Sequence, residues 1–228
     1  MEVQQWCRST DSGLQPAKIA QDVRSAKTQF MEDPMNFTSE ELEELGFASI
    51  GRNVRVHRSA LIYGADRVSI GDYSRIDCFS MLSAGADGIA IGQNVHLGAG
   101  AYLFGGGGRI ELEDFSGLSS RVVIYTASDD YTDGYMTNPT VPAEFRKVES
   151  GAVRLSRHAI VGAGSVILPG VTLATGAAVG AMTCVRRDVE EFAIVAGRSS
   201  VGKVVGERKR LLLEFELQCR DQLDSRAA

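Results

Sequence analysis

Residue types suited to metal or redox chemistry are scarce in this chain: three histidines and four cysteines among 228 residues, beside five prolines and one tryptophan. Cys7, Cys78, Cys184 and Cys219 stand far apart, with no CxxC or Cys/His ligand spacing. That excludes a disulfide framework and a structural zinc site and leaves free thiols. Basic residues are in deficit, 24 Lys and Arg against 29 Asp and Glu, for a net charge of −5 and a pI near 5.3. An acidic surface is a poor match for nucleic acid, whose phosphates must be neutralised. No apolar run reaches the roughly 18 residues of a membrane span, and the N-terminus has no basic-then-apolar signal pattern, so the chain reads as cytoplasmic. Its length suits one well-buried domain.

Glycine is the opposite case, with 25 residues. The explanation is a repeat. From Leu155, every sixth residue is aliphatic: Leu155, Val161, Ile167, Leu173, Val179, Val185. Four places after each stand Ala159, Ser165, Val171, Ala177, Thr183 and Val189, all small or β-branched. The same frame appears earlier as the trios Ile50, Val56, Ile62; Ile70, Ile76, Leu82; Ile91, Leu97, Leu103; and Leu112, Leu118, Ile124. Successive trios carry two or three extra residues, at "ADGIA" and "GGGGR" among others, so one corner per turn bulges. A period of six is neither helical nor a simple alternation; it fits a short strand followed by a tight corner. Three such strands make one turn of a solenoid with the aliphatics inside and parallel sheets along its faces. Gly and Asp or Asn after the aliphatic, as in "IGDYS", "IGQNV" and "VGAGS", are expected to supply positive φ at the corners.

The pattern divides the chain. Residues 1–36, which hold Trp6, show no sustained apolar period and read as a poorly ordered extension, with Met35 standing where a compact protein could begin. Residues 37–48 form a capping helix: Thr38 is the expected N-cap, Glu41 completes the capping box, and Gly46 stops it. The coil occupies 49–205, interrupted by an excursion over 128–152, and 206–228 form a C-terminal helix whose apolar residues Leu211, Leu212, Phe215 and Leu223 pack against the coil or a neighbour. The excursion, "ASDDYTDGYMTNPTVP" at its centre, is expected to be a functional loop without secondary structure.

The stretch "HAIVGAGSVILPGVTLATGAAVGAMTCVRRDVEEFAIVAG" closely resembles hexapeptide-repeat, left-handed β-helix acyltransferases of the galactoside and maltose O-acetyltransferase branch. "YTASDDYTDGYMTNPTVP" and "SEELEELGFASIG" are similar to a sub-branch of surface-polysaccharide sugar acyltransferases, which includes enzymes acting on dTDP-4-amino-4,6-dideoxyglucose. The resemblance covers roughly residues 48–206. It implies a mainly β, left-handed parallel β-helix, a homotrimer with the site in a groove between two subunits, and acetyl-CoA as acyl donor, with no metal. It implies transfer to an amine or hydroxyl of a sugar, most simply a nucleotide-linked amino sugar for lipopolysaccharide biosynthesis. By the same resemblance the Ala163 amide would donate to the oxyanion and Ala181 would contact the pantetheine arm. Arg186, Arg187, Arg198 and Lys203 would meet the coenzyme A phosphates, although "AGRSSVGK" stands where the family commonly has "AGNPAK".

One family feature is missing. The galactoside branch places its catalytic histidine in "TAGH", and here the matching letters are "TASD", Ser128 and Asp129. Of the three histidines, His57 belongs to the first turn and His158 to a polar corner with a surface role. His96, outward and about one turn before "TASD", is the first choice for general base, with Asp129 as the alternative base or orienting group. A carboxylate would need a raised pKa to serve a hydroxyl, and an amine asks less, so the missing histidine tilts the reading toward N-acetylation. Ser128, Asp130, Tyr131, Tyr135 and Asn138 would hold the sugar. Two further readings remain open: an O-acetyltransferase on simple glycosides, and a non-catalytic trimeric scaffold. The γ-class carbonic anhydrases share the fold, but two of their zinc histidines stand about five residues apart, and no such pair exists here.

Overall fold

The computed structural model describes residues 34–197 and 203–227. The chain divides into two units, Met1–Asn36 and Phe37–Ala228. Of the first, only residues 34–36 are described, so Trp6, Cys7 and the order of the extension lie outside the described residues, as does Arg198.

The second unit is a parallel β-solenoid. Three sheets of six, eight and six strands run along it, and successive strands visit them in rotation. Face 1 extends from Ser49–Ile50 to Thr172–Leu173, face 2 from Arg55–Val56 through Ala193–Ala196, and face 3 from Leu61–Tyr63 to Cys184–Val185. A single turn, the third, shows the scheme: Ile89–Ile91, His96–Leu97 and Tyr102–Phe104. The in-register pairs Ile70↔Ile91, Leu97↔Leu118 and Ile124↔Ile167 stack the six-residue aliphatics into internal columns. From the second turn on, every one of these positions is buried. Each contributes about 1.5–3 kcal/mol through removal from water. The second repeat column, Ala159, Ser165, Val171, Ala177, Thr183 and Val189, is buried too, because only short side chains fit beside the corner. The first turn is covered by Ser39–Glu44, whose Thr38–Glu41 capping box forms as expected and whose Leu42 is buried.

The corners meet the sequence expectation in part, through Asn94 and Gly164, and otherwise work differently. Positive φ falls three residues after every aliphatic of face 1 and most of face 2, at Tyr73, Asn94, Phe115, His158 and Met182 as well as at Gly164. Most of these are bulky side chains held in a left-handed conformation that costs each about 1–2 kcal/mol. The glycine directly after the aliphatic is needed for another reason: a Cβ on Gly162 would lie 2.4 Å from the Ala181 amide nitrogen of the next turn. It permits close approach of backbones rather than an unusual torsion.

Two other expectations are corrected. The excursion is not a bare loop: Ala127–Asp129 and Val148–Ser150 pair antiparallel, with a 3-10 turn at Ala143–Phe145 near the tip. At the C-terminus, Lys203–Glu207 is a strand antiparallel to Ala193–Ala196, and the helix runs over Leu211–Ala227. Of the apolar residues expected to pack, Leu212 and Leu223 are half-buried and the others are not covered. Leu211, Phe215 and Leu217 are exposed, and Glu216 is buried.

Candidate active site

The outward column of face 2 begins with Arg55, Arg75 and His96, aligned on successive turns by the pairs Arg55↔Arg75 and Arg75↔His96. Strand alternation turns them outward because their neighbours Val56, Ile76 and Leu97 point into the core. The His96 Nε2 lies 2.8 Å from Asp77 Oδ2 and 2.8 Å from an Arg75 Nη2, and Arg75 Nε lies 2.8 Å from Asp77 Oδ1. Nε2 cannot serve both neighbours. In one tautomer Nε2 accepts from Arg75; in the other it carries the proton and donates to Asp77, and this second form, the one suited to a base, leaves the Nδ1 lone pair free. Nδ1 has no partner among the described residues, and the ring is 46% exposed, so a substrate can reach it. This is the arrangement of a base oriented by a carboxylate. Sequence reasoning misses Asp77. Its signal is its place in "RIDCFS", two residues beyond Arg75 on the outward side and 19 residues before His96, which becomes readable only when the turn length is known.

Ala163 and Ala181 follow face 2 at the corner toward face 3. They are stacked one turn apart, with the Met182 amide donating to the Ala163 carbonyl at 2.9 Å. Neither alanine's amide donates to an acceptor among the described residues, and the same holds at Cys78, Ala99 and Ser120 along this corner. The corner thus presents a ladder of unclaimed N–H groups. Small side chains at 163 and 181 leave those two open to a close-lying acyl donor. Arg186 and Arg187 are exposed on the last turn and help to line a cavity of about 150 Å³ with Val185, Asp188 and Val204. Lys203 opens the antiparallel strand beside it.

The excursion residues fall elsewhere. The ribbon leaves the coil after Val123–Tyr125 on face 3 and returns at Val153–Leu155 on face 1. It is rooted on the one corner that face 2 does not touch. One subunit therefore does not bring His96 and Asp129 together. Asp129 Oδ2 accepts from the Asn138 amide at 2.8 Å and Oδ1 lies 3.6 Å from Arg146. Asp130 is buried, with Oδ1 accepting from the Thr132 amide and hydroxyl and Oδ2 2.7 Å from Lys147 Nζ. Lys147, and then Thr132, hold its carboxyl well below the usual range. Asn138 Oδ1 accepts from the Thr140 amide at 3.0 Å. These three side chains are committed to the shape of the ribbon. Ser128 is half-buried in its first strand, while Tyr131 and Tyr135 are exposed in the segment between the two strands, the latter 5.8 Å beneath Lys147 Nζ.

His158 is not a surface residue. Its side chain is 10% exposed, stacks on Phe115, and meets Glu216 of the C-terminal helix at 2.6 Å. Burial raises the Glu216 carboxyl, but His158, Arg220 and Arg157 outweigh it and the net shift is downward. Arg220 also pairs with Asp114 at 2.8 Å, so the helix is docked on the coil by ion pairs. His57 is spent on Ser59, whose hydroxyl lies 2.8 Å from Nδ1. Among the described residues, no group of three or more His, Cys, Asp or Glu is placed to hold a metal ion, and no helix is long and apolar enough to cross a membrane.

No family model matches the chain. It is 41% identical over 176 residues to a dTDP-4-amino-4,6-dideoxy-D-glucose acyltransferase of Escherichia coli, across 77% of this chain and 90% of that protein. Among solved structures it is similar to AntD, an N-acyltransferase from Bacillus cereus. In complex with dTDP and 3-hydroxybutyryl-CoA, AntD superposes with a TM-score of 0.77 at 35% identity, over 83% of this chain and 98% of that one. A variant of AntD bound to dTDP-4-amino-4,6-dideoxyglucose and coenzyme A gives a TM-score of 0.78 at 35% identity, over 82% and 98%.

Proposed function

The chain belongs to the hexapeptide-repeat sugar acyltransferases, with the dTDP-4-amino-4,6-dideoxyglucose acyltransferase as a relative, and from that premise we propose that it transfers an acyl group from a coenzyme A thioester to the amine of a nucleotide-linked 4-amino sugar. The observation that carries the reading is the His96–Asp77 couple, open at Nδ1, on the face whose edge bears the free amides of Ala163 and Ala181. Ala163 lies two turns beyond His96, about 10 Å along the coil, which leaves room between them for an amine and a thioester. Coenzyme A supplies the activated acyl group. His96 Nδ1 accepts a proton from the amine nitrogen as the C–N bond forms, and returns it to the sulfur as the C–S bond breaks. The Ala163 amide donates to the oxygen that gains charge. Arg186, Arg187 and Lys203 offer cations for the phosphates of the donor, while Tyr131 and Tyr135 offer surfaces to the acceptor. The acyl group need not be acetyl, since AntD was solved with 3-hydroxybutyryl-CoA.

The working form is a homotrimer. Face 3 carries the exposed Leu61, Tyr63, Tyr102 and Tyr125, a surface that a second copy would cover. Because His96 and the excursion root on opposite sides of one coil, a site using both takes them from two subunits. The free cysteines Cys78, Cys184 and Cys219 suit the cytoplasm.

The test is turnover. Purified protein is mixed with acetyl-CoA or 3-hydroxybutyryl-CoA and dTDP-4-amino-4,6-dideoxyglucose, with simple glycosides in parallel. Free thiol should appear only with the amino sugar, and mass spectrometry should find an amide at the sugar nitrogen. Turnover of glycoside hydroxyls without turnover of any amino sugar would overturn the reading.

A further inference from the structure

Arg55 and Arg75 occupy the same outward position on the first two turns of face 2, in register and both half-buried. Their surroundings hold too little negative charge. The Arg55 side chain makes no hydrogen bond or ion pair among the described residues. Asp77 is the carboxylate paired with Arg75, and it is shared with His96. Even within that pair the fit is incomplete: Arg75 Nε is buried 2.8 Å from Asp77 Oδ1 yet makes no well-aligned hydrogen bond. Burial, and then the charge of Arg75, press the Arg55 guanidinium below its ordinary basicity. Two like charges brought together and half-withdrawn from water are costly unless an anion joins them.

We infer that Arg55 and Arg75 form the binding site for the diphosphate of the acceptor nucleotide sugar. The inference rests on the nucleotide-sugar reading above and adds to it the cations the excursion cannot spare, since its Arg146 lies against Asp129 and its Lys147 against Asp130 and Asp133. Ser128, Asp130, Tyr131, Tyr135 and Asn138 include no cation and one acid, whereas a diphosphate needs at least two donors of positive charge. The order along the coil also fits. Arg55, Arg75 and His96 sit on consecutive turns about 4.8 Å apart, and the Ala163 corner follows. A nucleotide sugar laid along face 2 with its phosphates at the two arginines carries its hexose toward His96, and beyond it lies the corner for the thioester. A guanidinium fork suits phosphate oxygens, and Arg55 has all its side-chain donors free.

The experiment is calorimetric titration with dTDP, thymidine and inorganic pyrophosphate, on the intact protein and on Arg55→Ala and Arg55→Lys. Arg55 is chosen because it touches neither Asp77 nor His96. Wild-type protein should bind dTDP far more tightly than thymidine. In Arg55→Ala, dTDP should weaken about 10- to 100-fold while thymidine, coenzyme A binding and the sedimentation coefficient stay unchanged. Arg55→Lys should recover part of the loss, which also guards against misfolding of the alanine variant. Unchanged dTDP affinity in both variants overturns the site and leaves the proposed function standing. If wild-type protein binds pyrophosphate but not dTDP, the anion site stands and the nucleotide-sugar reading falls. Binding of neither removes both. Dissociation of the oligomer in Arg55→Ala, with dTDP affinity kept, would show that the pair faces a carboxylate of another subunit, and the inference would fail.

Discussion

Over its first three turns the outward column of face 2 reads Arg55, Arg75 and His96; over the next four it reads Gly117, Ile160, Ala178 and Ile194, at the same backbone position in the same sheet. The inward neighbours show no such break: Val56, Ile76, Leu97, Leu118, Val161, Val179 and Val195 are all aliphatic and at most 5% exposed. The coil dictates one side of each strand and leaves the other free, so chemistry can change halfway along a structure that does not. The charged half is suited to an anionic acceptor and a proton transfer, and the small, apolar half to the close approach of a thioester.

The sharpest test of that division is energetic. Leu97→Ala, on the inward side of the strand that carries His96, should lower the unfolding free energy by about 2–5 kcal/mol, because the rigid stack above and below cannot collapse into the cavity. Ile160→Ala, outward and 45% exposed, should cost under about 1 kcal/mol. Denaturant titration of both variants decides it, and equal costs would mean that the outward column is structural as well. The converse holds for turnover. His96→Ala should lower kcat about a hundredfold or more with stability unchanged, and Asp77→Asn should lower kcat about tenfold with little change in the KM for acyl-CoA. A near-normal rate in His96→Ala would move the proton transfer to Asp129 or to the substrate.

The inward columns are legible in the amino-acid sequence alone, since a period of six has one geometric meaning and core burial enforces it residue by residue. Outward residues obey no such rule, which is why Asp77 carries no signal of its own and His158 reads as a surface residue when it is not one. His158 is a corner residue in sequence, and its burial comes from Glu216, 58 residues away. The glycine after Ile50, Ile70, Ile91, Leu97, Val161 and Val179 stands out in the repeat, but its cause, as at Gly162, is a contact with the next turn, which one turn read alone does not reveal. The C-terminal helix has apolar residues at helical spacing, yet it docks through Glu216 and Arg220 because the coil surface beneath offers His158 and Asp114. In the apolar half, a smaller effect is expected at the far end: Arg186→Ala with Arg187→Ala should raise the KM for acyl-CoA about three- to tenfold, an effect that shrinks with added salt because both residues are exposed. Salt-independent loss would point to a structural role instead.

The smallest effect separates face 2 from the excursion by pH. Lys147, and then Thr132, hold the Asp130 carboxyl below its ordinary value, so its folded pKa is depressed. Such a group adds stability above the unfolded pKa, about 4, and loses it as the pH falls toward the folded value. Order in the ribbon, residues 127–150, should therefore be constant at neutral pH and decline below about pH 4, whereas the coil over 97–110, which holds no carboxylate and is packed by apolar burial, should show no such dependence. Hydrogen exchange followed by mass spectrometry at pH 6 and pH 3.5, corrected for the intrinsic rate, should show added exchange in the ribbon alone. Asp130→Asn keeps an acceptor for Thr132 but loses the charge that meets Lys147, so its ribbon should be looser at pH 6 and insensitive to acid. Equal protection at both pH values in the wild-type protein, or an acid response that survives in Asp130→Asn, would assign the order of the ribbon to its strand pairing and leave Asp130 without a part in it.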